Sequence, residues 1–223
     1  MTDPPASATV WFDLDGTLLE HTTDRSLIEL AGADCDLTLT DETVVAYRDF
    51  LFQYLARGRD RPYERAAALW QRHCDLALDP ATFVDRLADR HATDTAVVDG
   101  AVDVLDSIGE TYSLGLITNG TGRIQRGKLT AHELTDHFES IVVSGETPYM
   151  KPDDGIFELA ADRVPADQHV YIADRLAYDI VPARENGFRG VWVADEPASP
   201  VADATVATVA DLTVEQLHAL LAD

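Results

Sequence analysis

The sequence predicts an α/β protein: a doubly wound parallel sheet core with an inserted α-helical domain. Two observations carry that prediction. Five short runs of β-forming apolar residues recur along the chain, at Thr9 to Phe12, Ser113 to Thr118, Ser140 to Val143, His169 to Ala173 and Gly190 to Val193, each followed by a turn and helical periodicity. Such alternation suits parallel strands joined by helical crossovers, with both faces of the sheet covered. Between the first two runs the pattern changes to helical spacing without a convincing strand, over a stretch too long for an ordinary crossover.

Taken in order, the first strand ends in Trp11-Phe12-Asp13-Leu14-Asp15-Gly16-Thr17. Thr43 to Ala56 (Val44, Val45, Tyr47, Phe50, Leu51, Tyr54, Leu55), Tyr63 to Leu76 and Ala81 to His91 then read as amphipathic helices at 3.6-residue spacing. The expected division is therefore a core of residues 1–19 and 96–223 and a helical cap of residues 20–95. The second strand ends in Leu116-Ile117-Thr118-Asn119-Gly120; Met150-Lys151-Pro152 precedes a helix from Gly155 to Ala161; the fourth strand ends in Ile172-Ala173-Asp174, with Asp179 five residues on. Asp195 to Ala204 is the loosest stretch. Val214 to Leu221 reads as a final helix, with Thr213 and Gln216 spaced as a capping box.

Composition bounds the function. The 223 residues suit one large domain, or a domain with an insert, and 46% hydrophobic residues exclude global disorder. Seventeen Lys and Arg against 40 Asp and Glu give a formal charge of −23, so nucleic acid and anionic membrane are excluded as partners on electrostatic grounds. Lysine occurs only at Lys128 and Lys151. The acids are spread along the chain without a run of five or six, which reads as a solvated shell of the kind found in proteins of salt-loving organisms. Cys35 and Cys74 lack metal-ligand spacing and read as reduced thiols. No apolar run is long enough to cross a membrane, and residues 1–8 lack the pattern of a secretory signal, so a soluble cytoplasmic protein is expected.

The candidate chemistry lies at the strand ends, where open α/β sheets bind ligands. Asp13 and Asp15 leave the first strand two residues apart, and Gly16 permits the turn. Two like charges about 4 Å apart repel by about 4 kcal/mol at an effective dielectric near 20, so both persist as anions only with a cation between them. Hard oxygen ligands beside a phosphate point to Mg²⁺. Thr118, Asn119 and Gly120 supply a hydroxyl and turn amides suited to an anionic oxygen.

Asp-x-Asp-Gly-Thr after the first strand, Thr-Asn-Gly after the second, Lys151-Pro152-Asp153 with Ile156-Phe157 following, and Asp174 with Asp179 resemble, in that order, the four motifs of the haloacid dehalogenase superfamily. The resemblance runs from Thr9 to about Val193 and leaves the helical insert unread. It implies a Rossmann-like core and a hydrolase working through a phosphorylated or acylated aspartate. Asp13 is then the nucleophile and Asp15 the general acid and base. Thr118 and Lys151 contact the phosphoryl group, with Asn119 and Gly120 beside them in binding substrate. The metal ligands are Asp13, Asp174 and the Asp15 main-chain carbonyl, and Asp179 supports Lys151 or a metal-bound water.

Asp15 separates branches of the superfamily, because its dehalogenases typically lack an acid there. It favours a Mg²⁺-dependent phosphatase over a 2-haloacid dehalogenase; a catalytically silent binding protein is the further alternative, and Arg175 is the feature that keeps it open. Gln125, Lys128-Leu129, Phe138 and Val142 to Glu146 resemble the helical-capped branch that includes nucleotidases and phosphoglycolate phosphatases, which implies a small phosphorylated metabolite as substrate. Two departures stand out. Arg175 replaces the small residue usual after Asp174 and has three places to go: substrate, a surface acid or the metal. Asp154 stands where Pro is frequent. In the insert, Arg57-Gly58-Arg59-Asp60-Arg61 either balances nearby acids or meets a substrate anion, with balance preferred. His21 is a weaker candidate for the site. Phe50, Phe52, Tyr54 and Trp70 are expected in the helical core.

Overall fold

A computed structural model describes residues 7–20, 24–57 and 60–222 of the chain. Strand β1 (Ala8–Phe12) is followed by four helices, α1 (Asp24–Ala33), α2 (Asp41–Ala56), α3 (Pro62–His73) and α4 (Pro80–Thr93). Helix α5 (Ala101–Gly109), β2 (Ser113–Thr118), α6 (Gly122–Ala131), β3 (Ser140–Val143), α7 (Asp154–Arg163), β4 (Gln168–Ala173), α8 (Val181–Glu185), β5 (Arg189–Val193), β6 (Ala204–Val206) and α9 (Val214–Ala222) complete the order. The chain divides into two compact units, one formed by residues 1–21 and 96–223 and the other by residues 22–95.

The first unit is a six-stranded, wholly parallel sheet in the order β3-β2-β1-β4-β5-β6. This is the doubly wound, Rossmann-like arrangement: strand order reverses at β1, which lies between β2 and β4. The strands are continuous apolar runs because side chains alternate between two buried faces. Val10, Phe12, Leu116, Val170 and Ile172 enter one core cluster with Leu105 and Leu217, whereas Trp11, Ile117, Tyr171, Ala173 and Trp192 enter the other with Phe157 and Ala183. Helix α9 is closed by the expected capping box: the Thr213 amide donates to Gln216 Oε1 (2.8 Å) and the Gln216 amide to Thr213 Oγ1 (3.2 Å). The stretch expected to be loosest ends in β6, which pairs with β5 from Val191 to Val193. Three residues are too few to establish a period, so this strand is absent from the sequence reading.

The second unit is the helical insert. Tyr47, Trp70 and Phe83 are fully buried, with ring centroids 4.8–5.1 Å apart. The Trp70 indole donates to the Thr43 carbonyl (2.7 Å), which satisfies its one polar atom. Phe50 and Tyr54 pack against this cluster, but Phe52 is 72% exposed, which corrects its placement in the core. Within the basic stretch, Arg61 pairs with Glu64 at 3.3 Å, in keeping with charge balance, while Gly58, Arg59 and His21 lie outside the described residues. Cys35 and Cys74 are free thiols.

Glycine at 115 is required by the β1 to β2 approach, since a Cβ there would lie 2.2 Å from the fully buried Trp11 ring. Gly115→Ala is expected to lower unfolding stability by about 1–3 kcal/mol with little change in denaturant slope, measured by urea titration.

Candidate active site

The site is assembled from the carboxyl ends of β1, β2 and β4, neighbouring strands whose ends must converge. The Asp13 amide donates to the Ile172 carbonyl (3.0 Å), extending the β1 to β4 ladder by one residue and carrying Asp13 into the buried strand end. Beyond it the chain folds back sharply: Leu18 and Leu19 amides both donate to the Leu14 carbonyl, and the Gly16 amide donates to Leu19 at 2.7 Å. Gly16 has φ 88°, in the left-handed region that favours glycine. Leu14, Leu18 and Leu19 are fully buried and anchor this turn, while the Asp15 side chain stays 38% exposed.

Lys151 is the hub. Its ammonium is 4% exposed and donates to Asp13 Oδ1 (2.7 Å) and Tyr171 Oη (2.9 Å), with Asp179 Oδ1 at 2.6 Å. Three protons therefore meet three acceptors, the condition under which a buried lysine is tolerated. Tyr171 Oη is in turn 3.1 Å from both the Ile117 carbonyl and Asp179 Oδ1. Asp179 reaches inward from a π-helical turn, Leu176–Ile180, immediately after β4. The main chain of Lys151 is clamped as well: Asn119 Oδ1 accepts from its amide and Asn119 Nδ2 donates to its carbonyl, both at 2.9 Å.

These contacts set the charge states. Burial pushes the Asp13 carboxyl up to about 7; Lys151 pulls it back, and the Asp179 and Asp15 charges add to the rise. Burial alone would push the Lys151 ammonium down, but Asp13 and Asp179 together hold it above its usual value. Burial also lifts the Tyr171 phenol well above its ordinary range, with Asp179 and Asp13 adding, so Tyr171 stays protonated.

A second set of contacts surrounds Asp15. Lys128 Nζ donates to Asp15 Oδ1 (2.7 Å), and Gln125 Nε2 donates both to Asp15 Oδ2 (2.8 Å) and to Thr118 Oγ1 (2.7 Å). Because Thr118 Oγ1 accepts from Gln125, its hydroxyl proton is directed away from that amide.

The turn after β2 and the residue after Asp174 have contacts of their own within the protein. Asn119, expected to bind substrate, has its side-chain amide committed to Lys151; the Gly120 amide, expected to meet a substrate oxygen, donates to Ser144 Oγ at 3.0 Å. Arg175 is exposed, with its guanidinium 4.4 Å from the Tyr178 ring centre, a cation–π contact that takes it to the surface. Gln125, Lys128 and Tyr171 were not among the expected site residues.

Asp13, Asp174 and Asp179 each offer a carboxylate oxygen, and these atoms lie within 4.8 Å of one another. Asp179 Oδ2 is buried with no hydrogen-bond partner among the described residues. The Trp192 indole fixes the Asp174 main chain by donating to its carbonyl at 2.8 Å. Three hard oxygen donors within reach of one another, one carboxylate carrying an orphaned buried oxygen, fit a divalent cation such as Mg²⁺. The Asp15 carboxylate stands outside this trio.

The model of the haloacid dehalogenase-like hydrolase family matches residues 10–193. The chain belongs to that family. Relatives of this hydrolase include a glyceraldehyde 3-phosphate phosphatase of Pyrococcus abyssi, 32% identical over 82% of this chain and 79% of that protein. A phosphoglycolate phosphatase of Caulobacter vibrioides is 30% identical over 84% of this chain and 79% of its own. Among solved structures, the magnesium-bound HAD-hydrolase YfnB of Bacillus subtilis superposes with a TM-score of 0.69 at 23% identity, covering 97% of this chain and 99% of that one. A 2-haloacid dehalogenase of Pseudomonas syringae superposes at 0.74 and 20% identity, covering 97% and 98%. At those identities the two superpositions establish the shared fold.

The contacts of Asp13 fix the direction of its titration. In protein free of divalent cations, the Asp13 carboxyl should titrate near pH 7, so it is almost wholly protonated at pH 5 and ionised at pH 9. Removing the Lys151 charge (Lys151→Met) should move that midpoint up, and Asp179→Asn should move it down. Carboxyl-carbon NMR of labelled protein measures all three.

Proposed function

We propose that this hydrolase is a Mg²⁺-dependent phosphatase that cleaves a small phosphomonoester through an aspartyl-phosphate. The observation that carries this reading is the pairing of Asp13, buried against Lys151, with Asp15, half-exposed two residues on: two carboxylates in different environments, suited to different tasks. Phosphatase activity is also what the relatives' names describe.

In this reading an Asp13 oxygen attacks phosphorus while the bond from phosphorus to the alcohol oxygen breaks. The electron pair of that bond goes to the leaving oxygen, which takes a proton from Asp15. Thr118 donates its hydroxyl proton to a phosphoryl oxygen, and the Lys151 charge offsets the negative charge gathered beside Asp13. Water then attacks the phosphorus of the aspartyl-phosphate and gives its proton to Asp15. Phosphate leaves, and the Asp13 carboxylate is restored. Asp13, Asp174 and the Asp15 main-chain carbonyl would hold Mg²⁺, with the orphaned Asp179 oxygen available directly or through water. When bound, Mg²⁺ supplies charge neutralisation for the phosphoryl group.

A dehalogenase has no need of the proton that Asp15 delivers to an alkoxide, so Asp15 with its two donors favours the phosphatase. We assign substrate selection to the helical unit of residues 22–95. It presents a groove of about 330 Å³ lined by Val45, Phe52, Leu55, Tyr63 and His91. The net charge of −23 fits work in concentrated salt, which screens repulsion within the acidic shell.

Turnover of a panel of phosphorylated metabolites should require Mg²⁺, stop with chelator and fall at least about 1,000-fold in Asp13→Asn. It should be higher in molar KCl than at 0.1 M. Mg²⁺ must displace the proton that Asp13 holds below about pH 7, so its apparent affinity should rise with pH up to that point and level above it. Metal-independent turnover, or wild-type rates in Asp13→Asn, would refute the reading.

A further inference from the structure

Two buried residues of α6 carry more polarity than the packing of a helix requires. Gln125 and Lys128 are 2% and 5% exposed and three residues apart, so they share one face, between the apolar Ile124 and Leu129. Lysine is rarely buried without a partner, and an ion pair with one partner open to solvent adds little stability, which points to a use other than folding. The partner here is Asp15. Lys128 donates to one of its carboxylate oxygens and Gln125 to the other, at 2.7 and 2.8 Å, so the plane of the carboxylate is set from both sides. The second proton of the Gln125 amide goes to Thr118 Oγ1 at 2.7 Å, so one rigid amide also fixes Thr118 relative to Asp15.

The helix itself is held. Arg126 forks onto Glu146 through two contacts of 2.7 Å, and the Gly145 amide donates to the Gly120 carbonyl at 2.8 Å. A Cβ on Gly145 would stand 2.6 Å from that carbonyl oxygen, so the approach of the β3 loop to the start of α6 depends on glycine there.

We propose that Lys128 and Gln125 are positioning residues for departure of the leaving group, aiming the Asp15 proton at the alcohol oxygen. The inference rests on the phosphatase reading and deepens it. When the bond from phosphorus to oxygen breaks, its electron pair stays on the leaving oxygen, and the Asp15 proton moves to that same atom as Asp13 bonds to phosphorus. A strongly basic alkoxide needs that proton during departure, whereas a nitrophenolate leaves without it. A misaimed Asp15 therefore slows alkyl phosphates far more than nitrophenyl phosphate. A general weakening of the fold slows both alike.

The test is kcat/KM for an alkyl phosphate, phenyl phosphate and p-nitrophenyl phosphate, since kcat/KM reports steps up to the first irreversible departure. In Lys128→Met the alkyl to nitrophenyl ratio should fall about 30-fold, and in Gln125→Met about 10-fold. Lys128→Arg, which keeps the charge, should restore most of the ratio. If Lys128→Met does not fold, the Gln125→Met ratio decides by the same criterion. Equal losses across the three substrates, or a loss confined to KM, would overturn the positioning role. No wild-type turnover of any of the three would instead overturn the phosphatase reading and this inference with it.

Discussion

The buried ammonium of Lys151 is the interaction on which the site depends. Without it, Asp13 and Asp179 would be two carboxylates in an apolar strand end with nothing to offset their charge, and breaking such a buried pair costs about 3–5 kcal/mol. Lys151 cannot drift to solvent, because Asn119 holds its main chain on both sides and Tyr171 takes its third proton. The residues that define the site thus come from β1, β2, β4 and the segment before α7. They are brought together by the order of the sheet, in which β1 has β2 on one side and β4 on the other.

The charge balance of the whole chain gives this arrangement its logic. Of 17 cationic residues only two are lysines, and each is bonded to one of the paired aspartates of the first strand end. The buried pair at Asp13 and the half-exposed pair at Asp15 are electrostatically different sites two residues apart. That difference is what a nucleophile and a proton carrier require. In the proposed phosphatase the strongly acidic surface need not oppose an anionic substrate, since the fields of distant charges are screened by salt while contacts within a site are not.

Much of this was legible in the residues and some of it was not. The apolar runs located five strands to within one residue at either end, because a parallel strand buried on both faces leaves a continuous signal. β6 was illegible because three residues have no period. In α6 the buried face carries Gln125 and Lys128 where apolar residues would be expected, so its pattern speaks against burial. Lys128 stands out in the sequence by its rarity and, with Gln125, in the family resemblance, but neither says that the pair contacts Asp15. Tyr171 sits in an apolar run and reads as packing, and only the structure shows its hydroxyl against Lys151. In the turn after β2 the Asn119 side chain is committed to Lys151 and the Gly120 amide to Ser144 Oγ, contacts that sequence spacing does not show. Phe52 is expected in the helical core as an aromatic residue although it stands outside the periodic set of α2, and it lies on the exposed side.

In the proposed reaction Asp13, held by Lys151, carries the phosphoryl group between substrate and water. The most direct measurement is rapid quenching during turnover, borohydride reduction of any acyl-phosphate, and mass spectrometry of the peptide containing residue 13. The residue 13 carboxyl should be reduced to the homoserine side chain only when substrate and Mg²⁺ are both present. Steady turnover with Asp13 never modified, or with the reduced group found at Asp15, would contradict it.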